Sequence, residues 1–384
     1  MRLEGALRGA GLTAIAEVKR RSPSAGGLRP NADPAALAAA YERAQAAAVS
    51  ILVDERFGGS WDDLRAARAA TRLPLLAKGF FSTEEHLRTA REAGADAALL
   101  VLRDLSDETV RRLLGAASAL GLDALVEVHD AKELSRAEGL DARVVGINAR
   151  DLSTFEVDRR AQLELLARAP GDRVLVAESG IESRAQAAEA ELAGADAILV
   201  GTALMRAPDP AAKLAELVSR PLVKVCGLTR EEDVAVAAEA GADLAGFVLV
   251  EESPRRASDV LPVPGTMLSV AVYVGEVGAA EADLVQLYEH EEGKVRGRDG
   301  VLLRHGERVA RVLDLPWQEE DPAHLERARA ANGRVVLAGG LGPENVRAAI
   351  DAVHPWAVDA SSRLELEPGI KDHDRVRAFV EAAR

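Results

Sequence analysis

The sequence predicts an α/β chain of two consecutive (β/α)8 barrels, the C-terminal one shortened and open to irregularity. Three observations carry this. A helix–turn–strand phrase recurs, as EAGADAALLV (92–101), ELAGADAILV (191–200) and EAGADLAGFV (239–248). Eight short apolar runs fall in the first half, most of them separated by helical patterns. The polar residues of those runs gather at their carboxyl ends.

Each recurring phrase has one physical reading. An Ala-rich amphipathic helix closes at Gly94, Gly194 or Gly241, where a missing Cβ permits the left-handed residue. An Ala-Asp pair then enters a strand apolar on both faces, as parallel strands covered by helices are. The eight runs are AIAEVK (14–19), VSILVDE (49–55), LPLLAK (73–78), AALLVL (97–102), DALVEVH (123–129), VVGINAR (144–150), RVLVAES (173–179) and AILVGT (197–202). An open sheet also accommodates eight strands, so the count alone does not close a barrel. The polar ends do: Glu17 and Lys19, Lys78, Glu127, Asn148, Glu178 and Ser179, and Thr202 share one mouth only if the sheet closes, and TIM-barrel enzymes place their chemistry there.

After ALMRAPDPAAKLAELVSR the pattern restarts at Pro221 with LVKVCGL, which divides the chain into domains 1–219 and 220–384. Later strand candidates are AGFVLV (245–250), SVAVYV (269–274), LVQLY (284–288), VARVLDL (309–315), RVVLAGG (334–340) and WAVDASS (356–362), with GVLLR (300–304) as a further one. The second half is shorter than the roughly 200-residue lower end for this fold. The compression falls between Tyr288 and Asp314, where helices have little room.

Composition sets the class. The chain has 384 residues, more than one core, and two domains are the natural division at roughly 100–200 residues each. Aromatics make up only 3%, so the cores are built from Ala, Leu and Val. A net charge of -14 argues against non-specific nucleic-acid binding, while a cleft can still hold an anionic substrate. The single Cys226 excludes an intramolecular disulfide and fits a reducing compartment. No run reaches the roughly 18 apolar residues of a membrane span, and the N-terminus has no secretory-type stretch, so a cytoplasmic enzyme is expected. The seven His show no ligand spacing and no nucleotide-binding glycine fingerprint occurs, so neither metal nor cofactor is expected.

AEVKRRSPSAGGL (16–28), LLAKGFF (75–81), LVEVHD (125–130), GINARDL (146–152), AESGI (177–181) and VGTALMR (200–206) together resemble the motifs of indole-3-glycerol-phosphate synthases, in order, across about residues 12–218. The resemblance implies closure and decarboxylation of carboxyphenylamino-deoxyribulose phosphate, the ring-closing step of tryptophan biosynthesis. It implies Lys78 as general acid, Lys19 assisting dehydration and holding the anionic substrate, and Glu127 for later proton transfers. Glu17 lies two residues before Lys19, on the same strand face, and would keep it charged and oriented. Ser22, Phe80, Asn148, Arg150, Glu178 and Ser179 would meet substrate, and Gly180, Gly201 and Thr202 would cradle its phosphate.

Two departures stand out. Only about thirteen residues precede Ala14, where the family carries a longer segment with a helix over the mouth. KGF replaces KDF, so the carboxylate beside Lys78 is missing.

VKVCGLTREEDV (223–234), GFVLVEESPRRAS (246–258), LVQLY, LAGGLGPENV (337–346) and VDASS followed by PGIKD (368–372) resemble phosphoribosylanthranilate isomerase. That enzyme makes the first domain's substrate by Amadori rearrangement. The resemblance implies Cys226 as base, its thiol activated if Lys224 lowers its pKa. It implies Arg255 for the anthranilate carboxylate, and Gly339, Gly340, Asn345, Asp359 and Ser361 around the phosphate. Asp314 is the expected acid, with Asp321 in reserve. Tyr288 stands where the family has His, and Arg363 replaces the glycine after the serines.

Plainer readings compete. The Lys and Glu residues can form a structural ion cluster, Asn148 can tie a turn, Gly180 and Gly201 can be turn residues, and Cys226 can be buried and inert. At the level of the chain, a synthase with a non-catalytic second domain, or a pair acting on phosphosugars of histidine biosynthesis, stand beside the bifunctional reading. Expected partners are anionic phosphosugar–anthranilate substrates and other tryptophan-pathway enzymes, with no nucleic acid and no membrane.

Overall fold

The computed structural model describes residues 2–9, 11–22, 26–151, 154–291, 296–315 and 319–384. Its chain divides into two compact units, Met1–Glu182 with Ala187–Val218 and Ser183–Gln186 with Ser219–Arg384. Each unit is built on one closed eight-stranded barrel. No described helix is long and apolar enough to cross a membrane.

In the first barrel the strands are β1 (Thr13–Val18), β2 (Ala48–Leu52), β3 (Leu75–Lys78), β4 (Ala97–Val101), β5 (Asp123–Val128), β6 (Val144–Asn148), β7 (Val174–Glu178) and β8 (Ala197–Val200). All neighbours are parallel, and β1 closes the ring by pairing Ile15 with Leu199 and Glu17 with Ser50. The outer helices begin where the sequence supplies caps. Asp33, Ser60, Thr83, Ser106, Asp130 and Asp158 each accept a backbone N–H of the first turn they precede, satisfying donors that a helix start otherwise leaves open. Gly94 and Gly194 end their helices at φ of 100° and 109°, which only glycine adopts without strain.

Strand alternation divides the barrel interior into layers. Ile15, Ala48, Leu76, Leu125 and Val176 point inward and form an apolar floor, with Leu3 and Leu7 of the short helix α1 (Leu3–Leu7) packed against it. Two residues further along each strand, the same face presents Glu17, Ser50, Lys78, Glu127 and Glu178. A period of two therefore converts a dry floor into a charged layer within one step of the pleat. The helix α1 is tied down at the amino end of β5, where Glu4 N–H donates to Asp123 Oδ2 at 3.0 Å, so it caps the floor and not the mouth.

The second barrel has strands β9 (Leu222–Cys226), β10 (Leu244–Val248), β11 (Leu268–Val274), β12 (Leu284–Tyr288), β13 (Gly300–Arg304), β14 (Glu307–Leu313), β15 (Val335–Leu337) and β16 (Ala357–Ala360). It closes, but it is not a regular (β/α)8 barrel: β13 runs antiparallel to both β12 and β14. A parallel crossover needs a dozen or more residues, whereas β13 and β14 are joined by His305 and Gly306 alone, both at positive φ (49° and 82°), as a tight hairpin turn requires. Reversing one strand thus removes the two helical crossovers that would otherwise flank it, and this is where the predicted compression lies. The reversed strand enters at the mouth, with Gly300 between Tyr288 and Val312. Its lead-in segment therefore borders the site.

Candidate active sites

Lys78, at the last position of β3, occupies the centre of the first mouth. Its Nζ lies 2.7 Å from Glu178 Oε2, 3.4 Å from Glu17 Oε2 and 3.9 Å from Glu127 Oε2. Lys19, just past β1, pairs with Glu17 Oε1 at 2.8 Å. The three residues on which the sequence argument rests, Lys19, Lys78 and Glu127, are thus joined through Glu17 in one buried network.

Electrostatics distinguish these groups. Burial alone would lower Lys78, but the carboxylates of Glu178, Glu17 and Glu127 outweigh it and hold the ammonium well above its ordinary range. Burial would likewise raise Glu17, yet Lys19 and Lys78 bring it down to about 2. Glu178 is different. Burial pushes it up to about 7, with Lys78 opposing and the charges of Glu127 and Glu17 adding to the rise. Several carboxylates crowd around Lys78, and of these Glu178 is the one that burial and the neighbouring negative charges push up.

Space for this network is set by two glycines. A Cβ on Gly146 of β6 would stand 2.0 Å from Glu178 Oε1, and one on Gly201 would stand 2.3 Å from Glu17 Oε1 and 3.0 Å from Lys19 Cε. Gly201, expected at the phosphate, therefore also makes room for the Glu17–Lys19 pair. Gly180 follows Ser179 at the end of β7, and both have positive φ (72° and 70°). A non-glycine residue such as Ser179 held in that region is a strained feature of the kind that clusters at functional loops. Thr202 follows β8 on the same rim.

Asn148 serves within the protein. Its Nδ2 donates to Glu127 Oε1 at 3.1 Å and its Oδ1 accepts Arg150 N–H at 3.0 Å, so it both orients a carboxylate and ties a turn. Arg150 Nη1 donates to the Phe155 carbonyl. Phe80 is 39% exposed at the rim, with the Arg56 guanidinium 4.2 Å above its ring. At Gly79 the Phe81 ring fills the space: a Cβ there would meet its Cε1 at 2.9 Å. Lys78 is instead held by the three glutamates. Ser22 is buried, and the rest of the SPS segment, Pro23 and Ser24, lies outside the described residues.

The second mouth has its own network. Lys224 Nζ donates to Asp359 Oδ2 and Gln286 Oε1, both at 2.8 Å, and touches Cys226 Sγ at 3.4 Å. Gln286 Nε2 donates to Tyr288 Oη at 2.6 Å, and Tyr288 donates to Asp314 Oδ2 at 2.6 Å. A hydrogen-bonded chain therefore links the expected base to the expected acid. Burial, supported by the Asp359 charge, holds Asp314 above the ordinary carboxylate range despite Arg296 and Tyr288. A raised carboxyl is what a proton donor needs.

The expected lowering of the Cys226 thiol is corrected here. Burial raises the Cys226 thiol, and Lys224 offsets this only in part, because its charge is shared with Asp359. Asp359 is the counter-ion of Lys224, at 2.8 Å. Asn345 braces its own loop, its Oδ1 accepting Gly342 N–H and its Nδ2 donating to the Gly340 carbonyl. Asp321 is paired with Arg298 and Arg327. Arg255 is at the mouth with its Nε on the Glu365 carboxylate at 2.9 and 3.0 Å. Gly339 and Gly340 form the positive-φ turn after β15 (93° and 66°). Ser361 Oγ is buried without a hydrogen-bond partner among the described residues.

Residue-by-residue reading missed three further groups. Lys371 is fully buried, with Nζ 2.7 Å from Glu365, and signals itself only as a Lys in PGIKD. Arg296, on the segment leading into the reversed strand, ion-pairs Asp314 at 2.7 Å and lies 4.3 Å over the Tyr288 ring. His129 follows β5, 3.3 Å from Glu127.

Two closed barrels, each with buried acids and bases gathered at the carboxyl ends of its strands, define an enzyme with two proton-transfer sites. Comparison with known proteins narrows this. A family model for indole-3-glycerol phosphate synthase matches residues 2–217, and one for N-(5'phosphoribosyl)anthranilate (PRA) isomerase matches residues 321–382. The tryptophan biosynthesis protein TrpCF of Yersinia pestis is 36% identical, with 99% of this chain and 86% of that protein covered. The indole-3-glycerol phosphate synthase of Kineococcus radiotolerans is 47% identical over 54% of this chain and 77% of its own length. Among solved structures, phosphoribosyl anthranilate isomerase from Thermotoga maritima is 28% identical over 43% of this chain and 98% of its own, with a TM-score of 0.34. The chain belongs to the indole-3-glycerol phosphate synthase family, in the two-domain form that joins this barrel to a phosphoribosylanthranilate isomerase domain. The isomerase match begins after the reversed strand and covers β15, β16 and their helices.

Proposed function

We propose that residues 1–219 form the synthase barrel and residues 220–384 the isomerase barrel of a bifunctional enzyme of tryptophan biosynthesis, acting in the cytoplasm. The second domain converts phosphoribosylanthranilate to carboxyphenylamino-deoxyribulose phosphate, and the first converts that product to indole-3-glycerol phosphate. The observation that carries the reading is the joining of Lys19, Glu17, Lys78, Glu127 and Glu178 at one mouth. A purely structural core would favour apolar residues over so many buried charges.

In the synthase the aromatic carbon bearing the carboxylate attacks the sugar ketone. The carbonyl oxygen becomes an alkoxide and takes a proton from Lys78, an ammonium that its three glutamates keep charged until a stronger base arrives. Carbon dioxide then leaves and its bonding pair restores the aromatic ring. The new hydroxyl departs as water with a proton from Lys19 or Glu178, while Glu127 removes a proton from the adjacent methylene. Glu178, pushed up to about 7, can give or take a proton near neutrality. Ser179, Gly180, Gly201 and Thr202 hold the phosphate, and Phe80 with Arg56 lies against the aromatic end.

In the isomerase Asp314 protonates the furanose oxygen, opening the ring to an iminium. Cys226 then takes the C2 proton to give the enolamine, which becomes the ketone. Growth tests the whole reading: the gene should rescue two tryptophan auxotrophs, one lacking each step. Rescue of the synthase strain alone would leave the second barrel without its assigned activity.

A further inference from the structure

Glu127 has a second cationic neighbour that the reaction scheme above does not use. His129 lies two residues beyond it, on the same face of the chain leaving β5 (Asp123–Val128), with its Nε2 3.3 Å from Glu127 Oε1. This is a charge contact, since Nε2 has no aligned hydrogen-bond partner among the described residues. The other side of the ring is clamped. Glu133 Oε2 takes the backbone N–H of His129 at 2.9 Å and faces its Nδ1 at 3.1 Å.

The clamp is a product of local sequence. Asp130 caps the helix Ala131–Gly139 by accepting Glu133 N–H at 2.8 Å. Glu133 reaches back past the cap to His129, a variant of the reciprocal box that fixes helix starts. A bare cap would need no imidazole, and Glu133 would be free to face water. Here it is buried against the ring.

We propose that His129 is a positioning residue of the synthase, held by Glu133 so that its imidazolium fixes and neutralises the Glu127 carboxylate at the mouth. The inference rests on the synthase reading of the first barrel. Lys78 does not fill this role by itself, because it lies 2.7 Å from Glu178 and 3.9 Å from Glu127. Asn148 Nδ2 reaches Glu127 Oε1 but carries no charge. The groups facing the imidazole are Glu127 on the strand side and Glu133 on the helix side, with Lys78 and Asn148 beyond Glu127. Burial opposes the charged ring, but the two glutamates prevail and raise His129 to about 9, so it stays cationic through neutral pH.

The test uses the full chain with three variants, His129→Gln, His129→Asn and Glu133→Gln, each assayed on carboxyphenylamino-deoxyribulose phosphate between pH 3.5 and 9. Isomerase turnover and the melting curve report on folding. Losing the cation removes one of the contacts that hold the Glu127 carboxyl below its ordinary range, so it rises. In His129→Gln the acid limb of kcat should therefore move up by about one pH unit, so that kcat on that limb falls about tenfold while kcat above it stays near wild type, with KM within twofold. Glu133→Gln should reproduce the same shift with the ring still present, because a neutral partner no longer favours the imidazolium. His129→Asn, too short to reach Glu127, should lose at least as much.

Variants whose pH profile and kcat match wild type would overturn the proposal. So would a uniform fall of kcat, isomerase turnover and melting temperature without a shifted profile, since that is a folding effect. A wild-type enzyme without ring closure would sink the synthase reading as well, whereas an active wild type matched by its variants sinks only the role of His129.

Discussion

Replacing Lys78 by Met removes the cation that Glu17, Glu127 and Glu178 share. At 3.4, 3.9 and 2.7 Å, with an effective dielectric near 20, the separate attractions are about 5, 4 and 6 kcal/mol. Burial offsets much of this, and breaking a buried pair by removing one partner typically costs about 3–5 kcal/mol. That is the stability loss expected at pH 8. With the lysine gone, Glu127 and Glu178 rise, so the folded state binds protons more tightly than the unfolded state. The deficit should then shrink as pH falls from 8 toward 5. Ring closure loses its proton donor, and kcat should drop about 100-fold or more. Lys78→Arg separates the two effects: it keeps the charge and much of the stability, but a guanidinium does not give up its proton near neutrality. Urea unfolding at pH 5 and 8 and kcat on the ring-closure substrate measure both. A Lys78→Met enzyme within threefold of wild-type kcat, or one with an unchanged urea midpoint at pH 8, would refute the reasoning.

Other perturbations probe separate parts of the account. Gly146→Ala would set a methyl 2.0 Å from Glu178 Oε1 and displace it, so ring closure should fall about 100-fold while isomerase turnover is unchanged; equal losses in both activities would point to misfolding instead. Glu17, held at about 2 against an ordinary 4.5, contributes about 3 kcal/mol that is fully present above pH 4.5 and is lost as pH falls toward 2. The stability gap between wild type and Glu17→Gln should therefore be large at pH 7 and narrow by pH 3.5, and a constant gap would contradict the assignment. In the second barrel Asp314→Asn should abolish isomerase turnover, whereas Tyr288→Phe removes one hydrogen bond to a carboxylate that Arg296 still holds and should cost tenfold or less. A reversed order of severity would make Tyr288 the donor.

The first barrel could be read from the sequence because its strands obey one rule: an inward apolar residue is followed two positions later by an inward polar one, as in Ile15–Glu17, Leu76–Lys78 and Val176–Glu178. Periodicity names the face, and closure of the sheet brings the faces together. The reversed strand could not be read the same way. GVLLR suits either direction, and the deciding signal, His305-Gly306 set directly between two apolar runs, is a two-residue turn inside a segment where parallel strands were expected. The balance of charges was also hidden. Lys224 two residues from Cys226 suggested an activated thiol, but Asp359, 135 positions away, claims the same ammonium. His129 carried a local signal, its two-residue spacing from Glu127 with a glutamate four further on, but nothing in that spacing alone separates a clamp from a helix cap.

Feeding purified enzyme phosphoribosylanthranilate, and separately carboxyphenylamino-deoxyribulose phosphate, tests the two-site account most directly, with indole-3-glycerol phosphate as the product read. Wild type should form it from both. Cys226→Ala should form it only from the second, and Lys78→Met from neither, while the first compound is still consumed by Lys78→Met. Formation of product from phosphoribosylanthranilate by the Cys226→Ala enzyme, or from the second compound by Lys78→Met at wild-type rate, would contradict the division of labour between the barrels.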